Sequence, residues 1–308
     1  DYEDERLVLA EAKEDFIGAK LTIFLDWISY HTQIDIVKNR LKASKDILKT
    51  IQAQNVSKTS ALTMRRSINK SQRLLLDLES KLKAEQRLLI AVLENVDLDA
   101  NPLKINWNTR VDLIQDLHQY CKESIRDIKR IEIEQLKNKR SVKTYQNSEL
   151  ADFDFTISAT QDDNKGNYST YSKSSEVEYE AKLEFSYPLT GDTSNDVYLS
   201  KYRLKGRQLE LKYQDKLDDI VSDAQKLTTE LKQGVKQLTL YQQQIDESEG
   251  SDAELNEFLA GNGNIRFVIN EQDEQQSLLL EQVGAAINYH KNRIKYNSLM
   301  DRLLINVI

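Results

Sequence analysis

The stretch ADFDFTISAT, residues 151–160, sets Ala151, Phe153, Phe155, Ile157 and Ala159 at odd positions and Asp152, Asp154, Thr156, Ser158 and Thr160 at even ones. This strict period of two is that of a β-strand with one apolar and one polar face. A second run repeats it. Val177, Tyr179, Ala181, Leu183, Phe185 and Tyr187 alternate with Glu178, Glu180, Lys182, Glu184 and Ser186, and Pro188 and Gly191 end the run. The polar stretch QDDNKGNYSTYSKSS, 161–175, lies between the two runs. Together they predict a β-hairpin.

On either side of the hairpin the period changes to that of long helices. Phe16, Ile23, Trp27, Tyr30, Ile34, Val37, Leu41, Leu48 and Ile51 fall on alternating steps of three and four, with Lys20 and Ser44 filling the gaps. Such a coiled-coil seam predicts one helix of about fifty residues, roughly 75 Å long. The repeat lapses around QAQNVSKTS and resumes with Ile68, Leu75, Leu78, Leu82, Leu89 and Val92, which predicts an antiparallel helical hairpin with its tip near Asn55 to Thr59. Pro102 and its Asn and Asp neighbours then break the pattern over 97–108. Helical spacing returns from Val111 through Tyr145. After the strands a third long helix is predicted from about Asn195 to Ser248, with Tyr213, Leu217, Ile220, Leu227, Leu231, Leu238 and Ile245 on its seam. GSDAELNEFLAGNGN interrupts it, and a last helix carries Leu280, Val283, Ile287 and Ile294. The chain is thus mainly α with a β-hairpin, and its helical hairpins, 5–95 and 195–308, read as a duplicated unit.

Composition agrees with long helices. Only 9 Gly and 2 Pro occur in 308 residues, too few turn-formers for a many-stranded sandwich. The net charge of −7, without a basic patch, argues against nucleic acid as a partner. No run of eighteen apolar residues exists to make a transmembrane helix. The opening DYEDERLVLA has neither an initiator Met nor a signal-peptide pattern, which fits a processed mature form or a fragment.

A two-stranded hairpin is marginal in water unless one of its faces is covered, and the flanking helices already use their seams on one another. A membrane strand pair resolves this. Each run is about eleven residues, close to what a tilted strand needs to cross the hydrocarbon layer, and aromatic residues near the ends suit interfacial girdles. By parity Phe153, Phe155, Ile157, Tyr179, Leu183 and Phe185 face lipid, and Asp152, Asp154, Glu178, Glu180, Lys182 and Glu184 face a lumen. Two strands cannot close a barrel, and an open edge in lipid leaves backbone groups unsatisfied. Several chains must therefore share one barrel.

Catalytic chemistry is missing. His31, His118 and His290 lie on separate helices without a ligand-spaced partner, and there is no zinc-protease motif, phosphate loop or nucleophile elbow. Gly261 and Gly263 fit a helix-tip turn, Cys121 reads as a packed thiol, and the carboxylates sit on solvated helix faces. No enzyme activity, cofactor or metal is expected.

The segment EYEAKLEFSYPLTGDTSNDVYLSKYRLKGRQLELKYQ resembles the second barrel strand, the Pro-Leu-x-x-Gly turn (Pro188, Leu189, Gly191) and the following helix of the TolC-like outer-membrane channel proteins of efflux and type I secretion. GNGNIRFVINEQDEQQSLLLEQVGAAINYHKNRIKYNSLMDRLL is similar to that family's helix-tip turn and closing helix, including Gly263, Leu280, Tyr289 and Leu299, and residues 20–95 resemble the equivalent hairpin of the first repeat. The resemblance implies a passive channel-tunnel in the outer membrane with a large periplasmic portion. It also implies a homo-oligomer, by resemblance a trimer, and partners in a periplasmic adaptor and an inner-membrane transporter.

On this reading 1–96 is a first periplasmic helical hairpin, a partial first repeat, and 97–110 a connector. Residues 111–149 lead to the barrel, 150–189 form the transmembrane hairpin with external loop 161–175, and 190–308 form the second periplasmic hairpin. The tips place Asn55, Ser57, Thr59, Gly263, Arg266, Glu271 and Asp273 at the periplasmic end, where Glu271 and Asp273 are candidates for an acidic constriction. Two departures stand out. The first repeat lacks its leading helix and strands, so either an N-terminal portion is missing or the assembly is unusual. Ile269 and Gln272 fall where the family often has acidic residues. The competing expectation is a non-enzymatic periplasmic or surface coiled-coil scaffold whose hairpin is an oligomerisation arm.

Overall fold

A computed structural model describes residues 2–53, 58–91, 105, 113–147, 152–161, 177–186, 193–248, 253–261 and 263–306 of the chain. They divide into two compact units, Asp1–Arg126 with Leu217–Ile308, and Asp127–Lys216.

In the first unit α1 (Tyr2–Ala53) and α2 (Lys58–Ile90) form the first helical hairpin. At ~1.5 Å per residue α1 is about 78 Å long. Its seam buries Ile34, Val37, Leu41 and Ile51 against Met64, Ile68 and Leu78 of α2, and Trp27 on α1 is buried too. The seam does not extend back to Phe16, which is 58% exposed and instead holds the Lys20 ammonium 5.3 Å from its ring centroid. Lys20 can sit there because a residue four positions on covers the same helix face.

Leu217 to the end of α5 (Thr193–Ser248), the short α6 (Ala253–Leu259) and α7 (Ile265–Leu299) form the other hairpin of this unit. Leu217, Ile220, Ala224, Leu231, Leu238 and Ile245 repeat along the buried face of α5. Gln282 Nε2 donates to Gln242 Oε1 at 2.9 Å, and Gln275 Nε2 to the Ser248 carbonyl at 3.3 Å, so α5 and α7 run antiparallel. α7 also packs along α1, with Lys291 Nζ 2.7 Å from Asp26 Oδ1. Phe258, Ile265, Val268 and Ile269 join the α1–α2 residues in a single cluster, which brings the two helical tips together.

The single helix expected over Val111 to Tyr145 is two among the described residues: α3 (Leu117–Ser124) and α4 (Arg126–Asn147). Ile125 between them is extended, at φ −72° and ψ 128°, and buried. The break is tertiary in origin. Asp301, held at φ 53° just past α7, accepts the Arg126 backbone N–H through Oδ2 at 2.5 Å, so a carboxylate caps the new helix as an N-terminus requires. The Arg126 guanidinium also reaches Asp301 Oδ1 at 2.7 Å and the buried Glu14, whose Oε1 accepts from the Leu304 N–H at 3.1 Å at the start of α8 (Leu303–Asn306).

The second unit holds α4 from Asp127, the strands β1 (Asp152–Gln161) and β2 (Val177–Ser186), and α5 up to Lys216. α4 and α5 are antiparallel, since Lys216 pairs with Asp127 at 2.8 Å, the Leu209 carbonyl with Gln135, and the Tyr202 carbonyl with Asn138 Nδ2 at 2.9 Å. The strands expected from the two period-two runs are present as an antiparallel pair, from Asp152↔Ser186 to Gln161↔Val177. Gln161, expected as the first residue of the loop, belongs to β1 because its partner Val177 extends the ladder by one step.

Candidate functional site

The strand pair is built so that its register sorts chemistry by face. Directly opposed residues of an antiparallel pair share a face. Phe153 therefore stands with Phe185, Phe155 with Leu183, Ile157 with Ala181 and Ala159 with Tyr179, while Asp154 stands with Glu184, Thr156 with Lys182, Ser158 with Glu180 and Thr160 with Glu178. The Phe153 and Phe185 rings are 4.8 Å apart between centroids. Lys182 Nζ lies 2.9 Å from Glu184, one cation among the carboxylates of its face. Phe153, Phe155, Ile157, Tyr179, Leu183 and Phe185 are between 57% and 76% exposed, and β2 is exposed along its whole length. Six large apolar side chains on one face of a two-stranded ribbon thus have no cover among the described residues.

The helix tips are shaped by two glycines. Gly261 has φ +84°, and a Cβ on Gly263 would lie 2.6 Å from the Phe258 nitrogen, closer than any side chain tolerates. Asn264 then caps α7, its side chain accepting from the Arg266 N–H at 3.0 Å. Arg266 and Thr59 are exposed, whereas Asn55 and Ser57 lie outside the described residues. Glu271 lines an open cleft of about 390 Å³ with Glu247 and Glu274. Asp273, two residues and roughly 200° around the helix from Glu271, faces elsewhere: its Oδ1 accepts from Arg40 at 3.0 Å and its Oδ2 lies 3.4 Å from Lys70. The structure does not bring Glu271 and Asp273 to one point within a chain.

Arg40 is the residue the periodic reading missed. It is buried, donates to Ser44 and Gln272 as well as Asp273, and lies 3.5 Å from the Ser67 hydroxyl. Burial pushes its pKa down, opposed by the hydrogen bond and charge of Asp273. Its spacing carried a signal, for it lies three residues after buried Val37 and four before buried Ser44. Among the described residues no cluster of His, Cys, Asp and Glu could hold a metal ion, and no helix is long and apolar enough to cross a membrane.

No protein-family model matches the chain, and no curated protein sequence does. Solved structures match it closely in shape. CusC, whose crystal structures follow folding and transmembrane channel formation, is similar over 97% of this chain and 71% of its own, with a TM-score of 0.75 at 11% identity. The outer-membrane channel OprN matches 97% of this chain and 68% of its own, at 0.74 and 12%. This is the TolC-like outer-membrane channel fold. The MtrE outer-membrane channel of Neisseria gonorrhoeae, in its open state, matches equally broadly, over 98% of this chain and 69% of its own, at 0.71 and 12%.

A TolC-like fold kept at so low an identity is carried by spacing rather than by particular residues. The period-two runs, the heptad seams and the tip glycines do that here. Arg40 and the Glu14–Arg126–Asp301 group are buried charges laid on top of that pattern.

Proposed function

We propose that the chain is one protomer of a passive outer-membrane channel-tunnel serving efflux or type I secretion. The observation that carries this reading is the bare apolar face of the strand pair. In water those six side chains would leave a large exposed patch, whereas in a bilayer they meet acyl chains and the polar face meets a water-filled lumen. A two-stranded ribbon in lipid must pair both edges with other strands, so the barrel is shared between copies, by resemblance a trimer. Val197, Leu204 and Leu211, spaced by sevens on α5 and 58–66% exposed, supply a further apolar stripe for a neighbouring copy.

At the periplasmic end Thr59, Gly263 and Arg266 mark the tips, and the exposed Leu62 and Phe267 offer an apolar contact for a periplasmic adaptor that links the tube to an inner-membrane transporter. Glu271, beside Glu247 and Glu274, is the carboxylate placed to narrow such a tube, with Asp273 behind it on Arg40.

The test is reconstitution of the full-length protein. A channel floats with vesicles, runs as an oligomer in detergent and gives discrete conductance steps in a planar bilayer. A coiled-coil scaffold stays in solution without detergent and gives no conductance, and that result would reject the channel.

A further inference from the structure

The helix ends that flank the strands are strongly basic in a chain whose net charge is −7. Lys139, Arg140 and Lys143 on α4 and Lys201, Arg203 and Lys205 on α5 are all exposed, and the only carboxylate within residues 139–147 and 193–205 is Asp196. The strands themselves have the opposite sign, with Lys182 alone against Asp152, Asp154, Glu178, Glu180 and Glu184. The charge reverses over a short distance. Asn147 and Asp152 are five steps apart and Ser186 and Thr193 seven, so the connections span at most about 18 and 25 Å even when fully extended.

Aromatic rings sit in the same band. Tyr145 stacks on Tyr198 and Tyr202, with centroids 5.4 and 5.3 Å apart and planes at 17° and 26°. Tyrosine, apolar in its body and polar at its tip, concentrates where membrane meets water. On α5 Lys201 and Arg203 are roughly 200° apart around the helix, so the cations ring it rather than forming one face. A protein partner seated on one side would meet only part of such a ring, whereas a headgroup layer at the end of the helix meets it from several sides.

We propose that these two helix ends form a collar that binds the phosphates of anionic lipid headgroups, in the leaflet through which the strand pair enters the membrane. The inference rests on the membrane reading of the strands. Lys and Arg close to an anionic leaflet are attracted to it over about a Debye length, which makes the effect salt-sensitive and graded with the number of cations.

The experiment uses the full-length protein inserted into vesicles of phosphatidylcholine with about 30 mol% phosphatidylglycerol, followed by mild detergent release and mass measurement of the lipids retained. In about 0.05 M salt, the ratio of phosphatidylglycerol to phosphatidylcholine among the retained lipids should exceed the bulk ratio about fivefold, the size expected from one or two cations acting on a charged headgroup. The enrichment should vanish in about 0.5 M salt and in the combined K143Q, K201Q, R203Q and K205Q variant. It should survive K143R, K201R, R203K and K205R, and also K232Q and K236Q farther along α5. Millimolar inorganic phosphate should leave it unchanged; displacement by phosphate would overturn the lipid assignment. Insertion with no enrichment in the wild type overturns the collar alone, and leaves an acidic protein surface as what the cations serve. Failure of the protein to float with the vesicles overturns the membrane reading, and the collar with it.

Discussion

The Arg40 guanidinium donates to Asp273 Oδ1 at 3.0 Å from a side chain that is itself buried in the seam of α1. The pair ties α1 to α7 across the first unit, and Ser44, Ser67 and Gln272 take up further guanidinium donors. Asp273→Ala leaves the buried Arg40 guanidinium without its counter-charge, so it should cost about 3 kcal/mol or more. Lys70, exposed on the far side of Asp273, should cost less than about 1 kcal/mol on replacement by alanine. Arg40→Met with Asp273→Leu should recover much of the loss, because the double change removes both charges together. Thermal or denaturant unfolding of the three variants measures this; equal losses for Asp273→Ala and Lys70→Ala would show that the pair does not hold the helices.

Gly263 is fixed by contact and Gly261 by backbone angle. A Cβ at 263 would strike the Phe258 backbone, which has no flexible end to move aside. Gly263→Ala should cost about 1–3 kcal/mol through the shift it forces on the α6–α7 turn. Gly261→Ala meets open space but keeps φ +84°, and should cost about 1–2 kcal/mol. Denaturant midpoints of the two variants, read with the tip cluster in mind, check both values; wild-type stability of Gly263→Ala would mean the turn opens elsewhere.

Cys121 is a chemical probe for the unit that includes α3. It is fully buried, and burial, with a smaller push from Asp301, raises its thiol pKa above the ordinary value. Both effects lower the thiolate fraction at neutral pH, and the thiolate is the reactive form. A maleimide should therefore label the native protein far more slowly than the protein in denaturant. Prompt labelling of the folded chain would place α3 outside the core.

The elements of the fold were largely legible because each has a period. Val177 to Phe185 alternate without a slip, and Trp27, Ile34, Val37 and Leu41 keep a seam that admits no other pairing face. The buried charges and the helix break were not legible. Arg40 meets Asp273 across 233 positions and Arg126 meets Asp301 across 175, so nothing local announces them. The break at Ile125 has no glycine or proline to mark it, being made by a carboxylate from the far end of the chain. At the strand site, faces could be sorted by parity alone, whereas Phe16 was misplaced because an apolar residue at the right spacing is indistinguishable from a core one until its neighbours are known.

The two faces of the ribbon should respond unequally to charge. Phe155 and Thr156 are adjacent in β1 but paired with Leu183 and Lys182, hence on opposite faces. An arginine at 155 facing acyl chains near mid-membrane should cost about 2–4 kcal/mol, while position 156 is already beside a lysine in the polar face. Phe155→Arg should abolish oligomer assembly in membranes under conditions where Thr156→Arg assembles. Equal assembly of the two variants would count against lipid contact for the odd face.

The polar face carries the last prediction. Asp154 stands opposite Glu184, Ser158 opposite Glu180 and Thr160 opposite Glu178, with Lys182 already engaged by Glu184 at 2.9 Å. In a barrel shared by several copies each ribbon repeats that acidic excess around one lumen, and a narrow pore with low-dielectric walls focuses a field of single sign. The pore should pass cations in preference to anions. Reversal potentials in asymmetric salt read the preference directly, and the combined Asp154→Asn, Glu178→Gln and Glu180→Gln variant should move them toward zero while single-channel conductance persists. The collar cations lie on the helices outside the strands, so K143Q with K201Q should leave the reversal potential near its wild-type value. An anion-selective wild type, or selectivity indifferent to the three carboxylates, would remove the even face from the lumen.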